Sequence, residues 1–487
     1  MKKILLIGNS PLPDENTRSR PAAGLRTYQF LSPLIREGGT VIRDSSKAFS
    51  AAKRPDFSIR MINIAMPECY DTEVSRKEIR HSDKYSQFVI SKNDPGLKKH
   101  VQSLCDEFQP DAIVSVNTYP SYIASQIDTR APLWADLNGW IMAEAQAQAY
   151  KFDSNSYIPH YYKMEKNIIR RADKLSAVSD TQKYALLGEL AMLGRLNRES
   201  FGYEFAAHIP NGTQFLPGEK ISEGEPAVGD RAGMAAREML NKIPDDAFAM
   251  LWLGGYNTWV DEITLFRGIE DAMRSCEKLY FVSTGGGIEG LDNKTFAKFM
   301  KMIEKSEYKE RFIFLGWVET DAIPYIYRRA DCGLNVDRKC IETLTGARNR
   351  LNEMMKFGLP VVTTLGSEIS YEVVASGAGK GVESGKHESL TEAVVSIYKE
   401  WRGGGERASV EFKEYGKNGQ KYIEEKCNYD YLMKPLTRWL ENPRPAPDRG
   451  VDLKPWKGGY FSAGIRYMKE NGIGKFLRKV WGRIAGR

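Results

Sequence analysis

Short apolar runs alternate with amphipathic stretches from the start of the chain. Lys3–Gly8 reads as a strand, Leu25, Tyr28, Leu31, Leu34 and Ile35 recur at the helical period of 3.6, and Ser58–Ile64 is again strand-like. Val101–Phe108 predicts a helix, Ala112–Val116 and Leu133–Leu137 predict strands, and Met164–Ala172 predicts a helix leading into a strand at Lys174–Val178. This alternation argues for a parallel sheet covered by helices. After His208-Ile-Pro-Asn-Gly-Thr213 the pattern stops, and 216–231 is rich in Pro, Gly, Glu and Asp without a period.

A second round follows. A helix over Gly233–Asn241 precedes strands at Phe248–Leu253, Leu279–Thr284, Phe312–Leu315, Cys332–Val336 and Pro360–Thr364, separated by helices over Glu262–Ser275, Lys294–Lys305, Ala322–Ala330 and Arg350–Phe357. Helical stretches at Leu390–Trp401 and Lys417–Glu424 come next, and Asn442–Asp448 breaks the chain. The expected organisation is an α/β half over 1–215, a linker over 216–232, a second α/β half over 233–410, helices over 411–441 that cross back to the first half, and a linker with a basic tail over 442–487.

A chain of 487 residues, 42% hydrophobic and 27% charged, has the composition of a globular protein of two or three domains, which excludes a wholly disordered or fibrous chain. Six cysteines lie scattered with no C-x-x-C pair, so a reducing compartment is expected. The apolar run behind Lys2 and Lys3 is too short for a signal-peptide core, and nowhere do 18 apolar residues follow one another. The net charge of +7 is confined to 456–487, where eight basic side chains meet one acid, Glu470. The remaining body balances to zero, which argues against nucleic acid as a partner.

Several strands of the second half end in small-residue loops. Gly254-Gly255-Tyr256 follows one and Gly285-Gly286-Gly287 another, and their missing side chains would let a backbone approach an anion; the alternative is an ordinary turn. Thr345-Gly346-Ala347-Arg348 opens a predicted helix whose first-turn N–H groups and dipole suit a phosphate, with Arg348 and Arg350 able to add charge-assisted bonds. Glu353, two turns into that helix, could hold a sugar diol, or could be a solvated helix residue. In the first half, Asp136 ends a strand beside Asn138-Gly139 and is the candidate general base, or else the start of an Asx turn. In the tail, Ile473, Phe476, Leu477, Val480, Trp481 and Ile484 form an apolar stripe flanked by Lys475, Arg478, Lys479 and Arg483, the pattern of an in-plane anchor on anionic lipid or of a helix docked on the body.

These motifs carry a resemblance. Arg171-Ala-Asp-Lys-Leu-Ser-Ala-Val-Ser179-Asp, Ile209-Pro-Asn-Gly-Thr213, Phe314-Leu-Gly316-Trp317-Val318 and the block from Thr345-Gly346 through Glu353 to Val362 resemble the GT-B glycosyltransferases, most closely the retaining bacterial enzymes of family 4, over about 400 residues in outline. The resemblance implies an α/β fold of two Rossmann-like parallel-sheet domains facing a cleft. It implies that Glu353 binds the donor ribose and that Gly346, Ala347 and Arg348 meet the diphosphate or sugar. Gly254, Gly255, Tyr256, Gly285 and Gly286 would sit beside the phosphates, Trp317 and Val318 beside the base, and Gly24 in the loop closing from the other half. Arg18, Arg20 and Arg26 would face phosphates or an acceptor, with Asn138 also on the acceptor side.

This chain departs from the family pattern in three places. The usual first glutamate is Thr345, with Glu342 three residues earlier. The Arg and Lys usual after the first strand of the second half are absent, leaving neutralisation to Arg338, Lys339 or Arg348. The histidine often found after the fourth N-terminal strand is replaced by Asp136. No cofactor and no metal are expected, since the five histidines show no ligand spacing. The expected partners are a nucleotide-sugar donor, a glycan or lipid-linked glycan acceptor, and an anionic membrane surface met by Phe476, Leu477, Lys479 and Trp481. The expected location is cytoplasmic, peripheral on the inner face of the cell membrane. A nucleotide-sugar epimerase and a non-catalytic glycan- or membrane-binding relative share the same features.

Overall fold

Alternation along the first strand, β1 (Lys2–Ser10), sends its side chains into two different cores. Leu5 and Ile7 pack with Ile62, Ile64, Ile113 and Leu133, whereas Ile4 and Leu6 pack with Met61, Val114 and Trp134. A strand apolar on both faces must be covered on both, which is the condition of a parallel sheet between helical layers. The computed structural model describes residues 1–13, 15, 17, 21–35, 56–215, 231–288, 290–319, 322–403, 409–451 and 460–485. Arg18, Arg20 and nearly all of the expected 216–232 linker lie outside these residues.

Among the described residues the first sheet adds β2 (Phe57–Ala65), β3 (Lys77–Arg80), β4 (Tyr85–Ser91), β5 (Ala112–Val116), β6 (Leu133–Leu137), β7 (Lys174–Ala177) and β8 (Ala206–His208) to β1. Their order is β3-β4-β2-β1-β5-β6-β7-β8, parallel except for β3. The β3–β4 hairpin was not expected: Lys77-Glu-Ile-Arg80 is an exposed edge strand rich in charge, with no apolar run to reveal it.

The second sheet comprises β9 (Phe248–Trp252), β10 (Leu279–Thr284), β11 (Phe312–Gly316), β12 (Cys332–Asn335), β13 (Val361–Thr364) and β14 (Gly379–Val382), in the order β11-β10-β9-β12-β13-β14 and parallel throughout. Phe248, Met250 and Trp252 face one core, and Ala249 and Leu251 the other. The chain reverses direction across the sheet between β9 and β12, where a crevice opens at the carboxyl ends of the strands.

Two segments join the lobes. Residues 209–213 leave the first sheet, and the helix Val410–Lys426 lies on the second lobe, with Gly419 pressed against Met355 and Gly416 against the carbonyl of Gly358. The chain then crosses back: Met433, Leu436 and Leu440 enter the first-lobe core beside Ile4 and Leu6, and Trp439 meets Trp134 edge-on at 5.5 Å. The N–H of Thr213 donates to the carbonyl of Cys427, which ties the two crossings together. The body continues to Pro447 rather than ending at 441, because Ala446 is buried in the first-lobe core and its N–H donates to Asp173.

Residues 448–487 form a separate unit. It holds two helices, Tyr460–Asn471 and Ile473–Ala485, turning at Gly472 with φ +81°. Phe476 of the expected stripe packs toward Gly464 of the first helix, and the Lys479 ammonium lies over the Tyr467 ring at 4.2 Å. Ile473, Leu477, Val480 and Trp481 remain exposed. No helix among the described residues is long and apolar enough to cross a membrane.

Candidate functional site

A cavity of about 240 Å³ lies between the two sheets. Its floor is built by the ends of β9, β10 and β11. Leu253, Gly254, Thr284, Gly285, Trp317 and Val318 line it. Gly254 and Gly285 have φ +93° and +75°, which favours glycine, and a Cβ on Gly285 would sit 2.5 Å from the backbone of Gly254. The side chain missing from Gly254 leaves open space. Trp317 stands 64% exposed at the mouth.

The wall opposite is the helix Asn349–Lys356, which presents Asn349, Asn352, Glu353 and Lys356 to the cavity. It is zipped to the 209–213 segment: Asn352 Nδ2 donates to the carbonyl of Asn211 at 2.7 Å, and Asn211 Nδ2 to Asn349 Oδ1 at 2.6 Å. The Glu353 carboxylate accepts from Thr213 Oγ1 and pairs with Lys356 Nζ at 2.8 Å. Leu25, Arg26 and Gln29 close the cavity from the first lobe. The carboxylate is thus held at the junction of both lobes and a crossing segment, still partly open to the cavity. Of the expected donor residues, Gly254, Gly285, Trp317, Val318 and Glu353 meet there.

Others are placed differently. Tyr256 is fully buried, stacked on Trp252 at 5.1 Å with its hydroxyl 2.7 Å from Ser283 Oγ, so it supports the loop from the core instead of facing a ligand. Gly255 turns its Cα toward Ile288 and Trp317, and the carbonyl of Gly286 is taken by the Tyr256 N–H. Gly24 packs under the carbonyl of Pro11, where a Cβ would clash at 1.9 Å. Asn138 donates to Asn117 Oδ1 at 3.1 Å. None of these five lines the cavity.

The segment around Thr345 needs the largest correction. A short helix, Ile341–Thr345, precedes Gly346, and the expected phosphate-binding helix starts only at Asn349. The carbonyl of Thr345 accepts from Ser179 Oγ of the first lobe at 2.7 Å, and Gly346, Ala347 and Arg348 line a separate cleft of about 60 Å³ with Val178 and Pro210. Arg348 is buried between Asp337, 2.6 Å from its Nε, and Glu342, 2.7 Å from its Nη2. Burial opposes its charge, but the two carboxylates outweigh this and hold it protonated. It has no charge left for a phosphate. Arg338 is likewise paired with Glu262, which also meets Lys298 at 3.0 Å.

Asp136 is corrected too. It is 0% exposed, and its carboxylate accepts from Arg26 Nε at 2.9 Å, Arg26 Nη2 at 2.7 Å and Ser176 Oγ at 2.7 Å. A carboxylate so enclosed cannot reach an acceptor hydroxyl. Arg26, expected near phosphates, spends its other donors on the carbonyls of Ile209 and Pro210, at 2.8 and 2.9 Å.

Side chains that spacing along the chain does not reveal also gather near the interface. Asp180, His208 and Glu368 come together across the lobes, with His208 Nε2 3.3 Å from Glu368 Oε1 and the Asp180 N–H donating to Glu368 Oε2 at 2.8 Å. Both acids open helices, and the Glu368 carboxylate caps the Asp180 helix across the lobes by accepting its first N–H. Glu144 lies near Glu342, and burial together with that neighbour pushes its carboxyl up to about 8.

Residues 248–400 match the family model described as Glycosyl transferases group 1, and the second lobe therefore carries a domain of that type. No curated protein matches the sequence. Among solved structures, the sucrose-phosphate synthase of Thermosynechococcus elongatus is similar at a TM-score of 0.59 and 14% identity, over 91% of this chain and 99% of that one. HepE of Anabaena, solved with UDP and glucose, gives 0.59 and 15% over 91% and 100%. WaaG, described as a glycosyltransferase involved in lipopolysaccharide biosynthesis, gives 0.52 and 15% over 89% and 98%. The fold is GT-B: two parallel-sheet α/β lobes about a cleft.

Proposed function

We propose that the protein transfers a sugar from a nucleotide-sugar donor to a glycan acceptor, as the family 4 resemblance implies. Glu353 carries this reading: an acid held open to the inter-lobe cavity beside two glycine loops, within a Glycosyl transferases group 1 domain. In it the base lies against Trp317, the ribose hydroxyls donate to Glu353, and the diphosphate lies by Gly254 and Gly285. A nucleoside diphosphate leaves readily once its charge is met by preorganised donors, so the site needs little acid–base machinery.

The acceptor in this reading is lipid-linked and belongs to bacterial envelope polysaccharide synthesis, with the enzyme held on the inner face of the membrane by the 460–485 helices. Leu477 and Trp481, 51% and 69% exposed on either side of Arg478 and Lys479, support that placement.

A thermal-shift screen against nucleotide sugars tests the donor reading. One of them should raise the melting temperature of the wild type, and Glu353→Ala and Glu353→Gln should lose that shift while remaining folded. Unchanged binding in both variants overturns the assignment.

A further inference from the structure

The glycine loops give a donor diphosphate room but few hydrogen-bond donors. The N–H of Gly254 is taken by Thr284 Oγ1 at 2.9 Å, that of Gly285 by the carbonyl of Gly316 at 2.6 Å, and that of Tyr256 by the carbonyl of Gly286 at 3.0 Å. Of the cations expected to supply charge, Arg26 is engaged with Asp136, Arg338 with Glu262, and Arg348 with Asp337 and Glu342, while Lys339 is exposed and does not line the cavity. Lys356, which lines the cavity, is paired with Glu353, so a diphosphate at this loop would lack a counter-charge of its own if those were all.

Arg350 is different. Two residues beyond Arg348 on the chain, it turns to the opposite side, toward the glycine loop. Its guanidinium lies 4.1 Å over the Trp252 ring, and Nη2 donates to the carbonyl of Gly255 at 3.2 Å. Nη1 is buried without a hydrogen-bond partner, and no carboxylate pairs with this side chain among the described residues. Its charge is offset only by a ring face, one carbonyl and the field of Asp337, which is already bonded to Arg348, and an unmet buried donor is costly. Burial lowers its pKa to about 10, so it stays charged at neutral pH.

The geometry points to Arg350 as the residue that takes the charge of the donor's diphosphate. Arg350 does not itself line the cavity but holds Gly255, the neighbour of the cavity-lining Gly254, so an anion arriving at Gly254 supplies the partner that Nη1 lacks, and the Trp252 face keeps the fork in place beforehand. The second lobe thereby replaces the absent loop Arg and Lys from a helix instead of from the loop. This inference rests on the nucleotide-sugar reading above and adds to it which side chain meets the phosphates.

Calorimetric titration with UDP, ADP and GDP, each against its own nucleoside, separates the two claims. The wild type should bind one diphosphate more tightly than the matching nucleoside. Arg350→Met should lower that diphosphate affinity about 10- to 100-fold, the range for losing one charged hydrogen-bonding contact, while leaving nucleoside affinity unchanged. Arg350→Lys should keep part of the advantage. Arg350→Gln, which keeps a polar amide but carries no charge, should behave like Arg350→Met and serves if the latter fails to fold. A full diphosphate advantage in the uncharged variants overturns the role of Arg350 and leaves the donor site standing. Absence of binding by the wild type to any of the three diphosphates overturns both.

Discussion

Arg26 and Asp136, 110 residues apart in the chain, form a two-pronged ion pair with neither side chain exposed to solvent. The same guanidinium holds the carbonyls of Ile209 and Pro210, so the pair fixes the point at which the chain leaves the first lobe. An acid that looks catalytic by its place at a strand end is in fact a strut between β6, the helix Ala22–Ile35 and the crossing segment.

Asp136→Ala should therefore lower stability and leave the pH profile of activity unmoved. Removing one partner of a buried pair strands the other, at a cost of about 3–5 kcal/mol. Urea unfolding measures it. A variant of wild-type stability whose rate depends on pH in a new way would return Asp136 to the role of base.

Trp317 presents its ring at the cavity mouth with little to hold it there. Within the proposed donor geometry, Trp317→Ala should weaken nucleotide binding by about 1–3 kcal/mol, the scale of base stacking on an aromatic side chain, and should barely alter the melting temperature of the free protein. Calorimetry with the nucleotide that binds the wild type checks this; equal affinities would place the base elsewhere.

Glu165 and Glu189 make stability depend on pH. Glu165 is 3% exposed with neither carboxylate oxygen hydrogen-bonded within the usual geometry, and burial pushes its carboxyl well up, with Glu189 adding to the effect. Burial likewise raises Glu189, against the opposing bond from Trp140. The fold therefore keeps protons that the unfolded chain gives up at about pH 4.3. Above that value the unfolded state ionises first, so stability drains away as pH rises, until the folded carboxyls also ionise. Glu165→Gln should match the wild type in melting temperature near pH 4 and exceed it increasingly as the pH rises from there, until the folded carboxyl ionises. A constant difference across that range would contradict the assignment.

The lobes were legible because strands buried on both faces are apolar throughout, and the helices between them keep a clear period: β5, β6, β10 and β13 lie within a residue of where the pattern puts them. The edge strand β3 and the five-residue helix Ile341–Thr345 were not, since neither has enough buried positions to show a period. The glycine loops were readable from local chemistry. Charge partners were not, because Arg348 and Arg350 look alike in sequence, and only the packing reveals that one faces Asp337 and Glu342 while the other faces Trp252 and Gly255. Position at a strand end nominated Asp136 for the same reason: the pattern shows where a side chain starts and not what it meets.

The 460–485 helices offer the last prediction. Eight cations and one acid over 456–487 give the segment its charge, while Ile473, Leu477 and Trp481 stay exposed on a helix whose Phe476 turns toward its neighbour. Exposed apolar side chains beside cations gain from burial at an anionic lipid interface in two ways, by apolar area and by roughly 1 kcal/mol per basic residue near the surface. The full chain should therefore sediment with vesicles containing phosphatidylserine and not with pure phosphatidylcholine. Raised salt should weaken binding by screening the cations, and Leu477→Ser with Trp481→Ser should weaken it at every salt concentration, with the body's melting temperature unchanged. Equal sedimentation with both vesicle types, or binding indifferent to the two substitutions, would leave these helices without a membrane role.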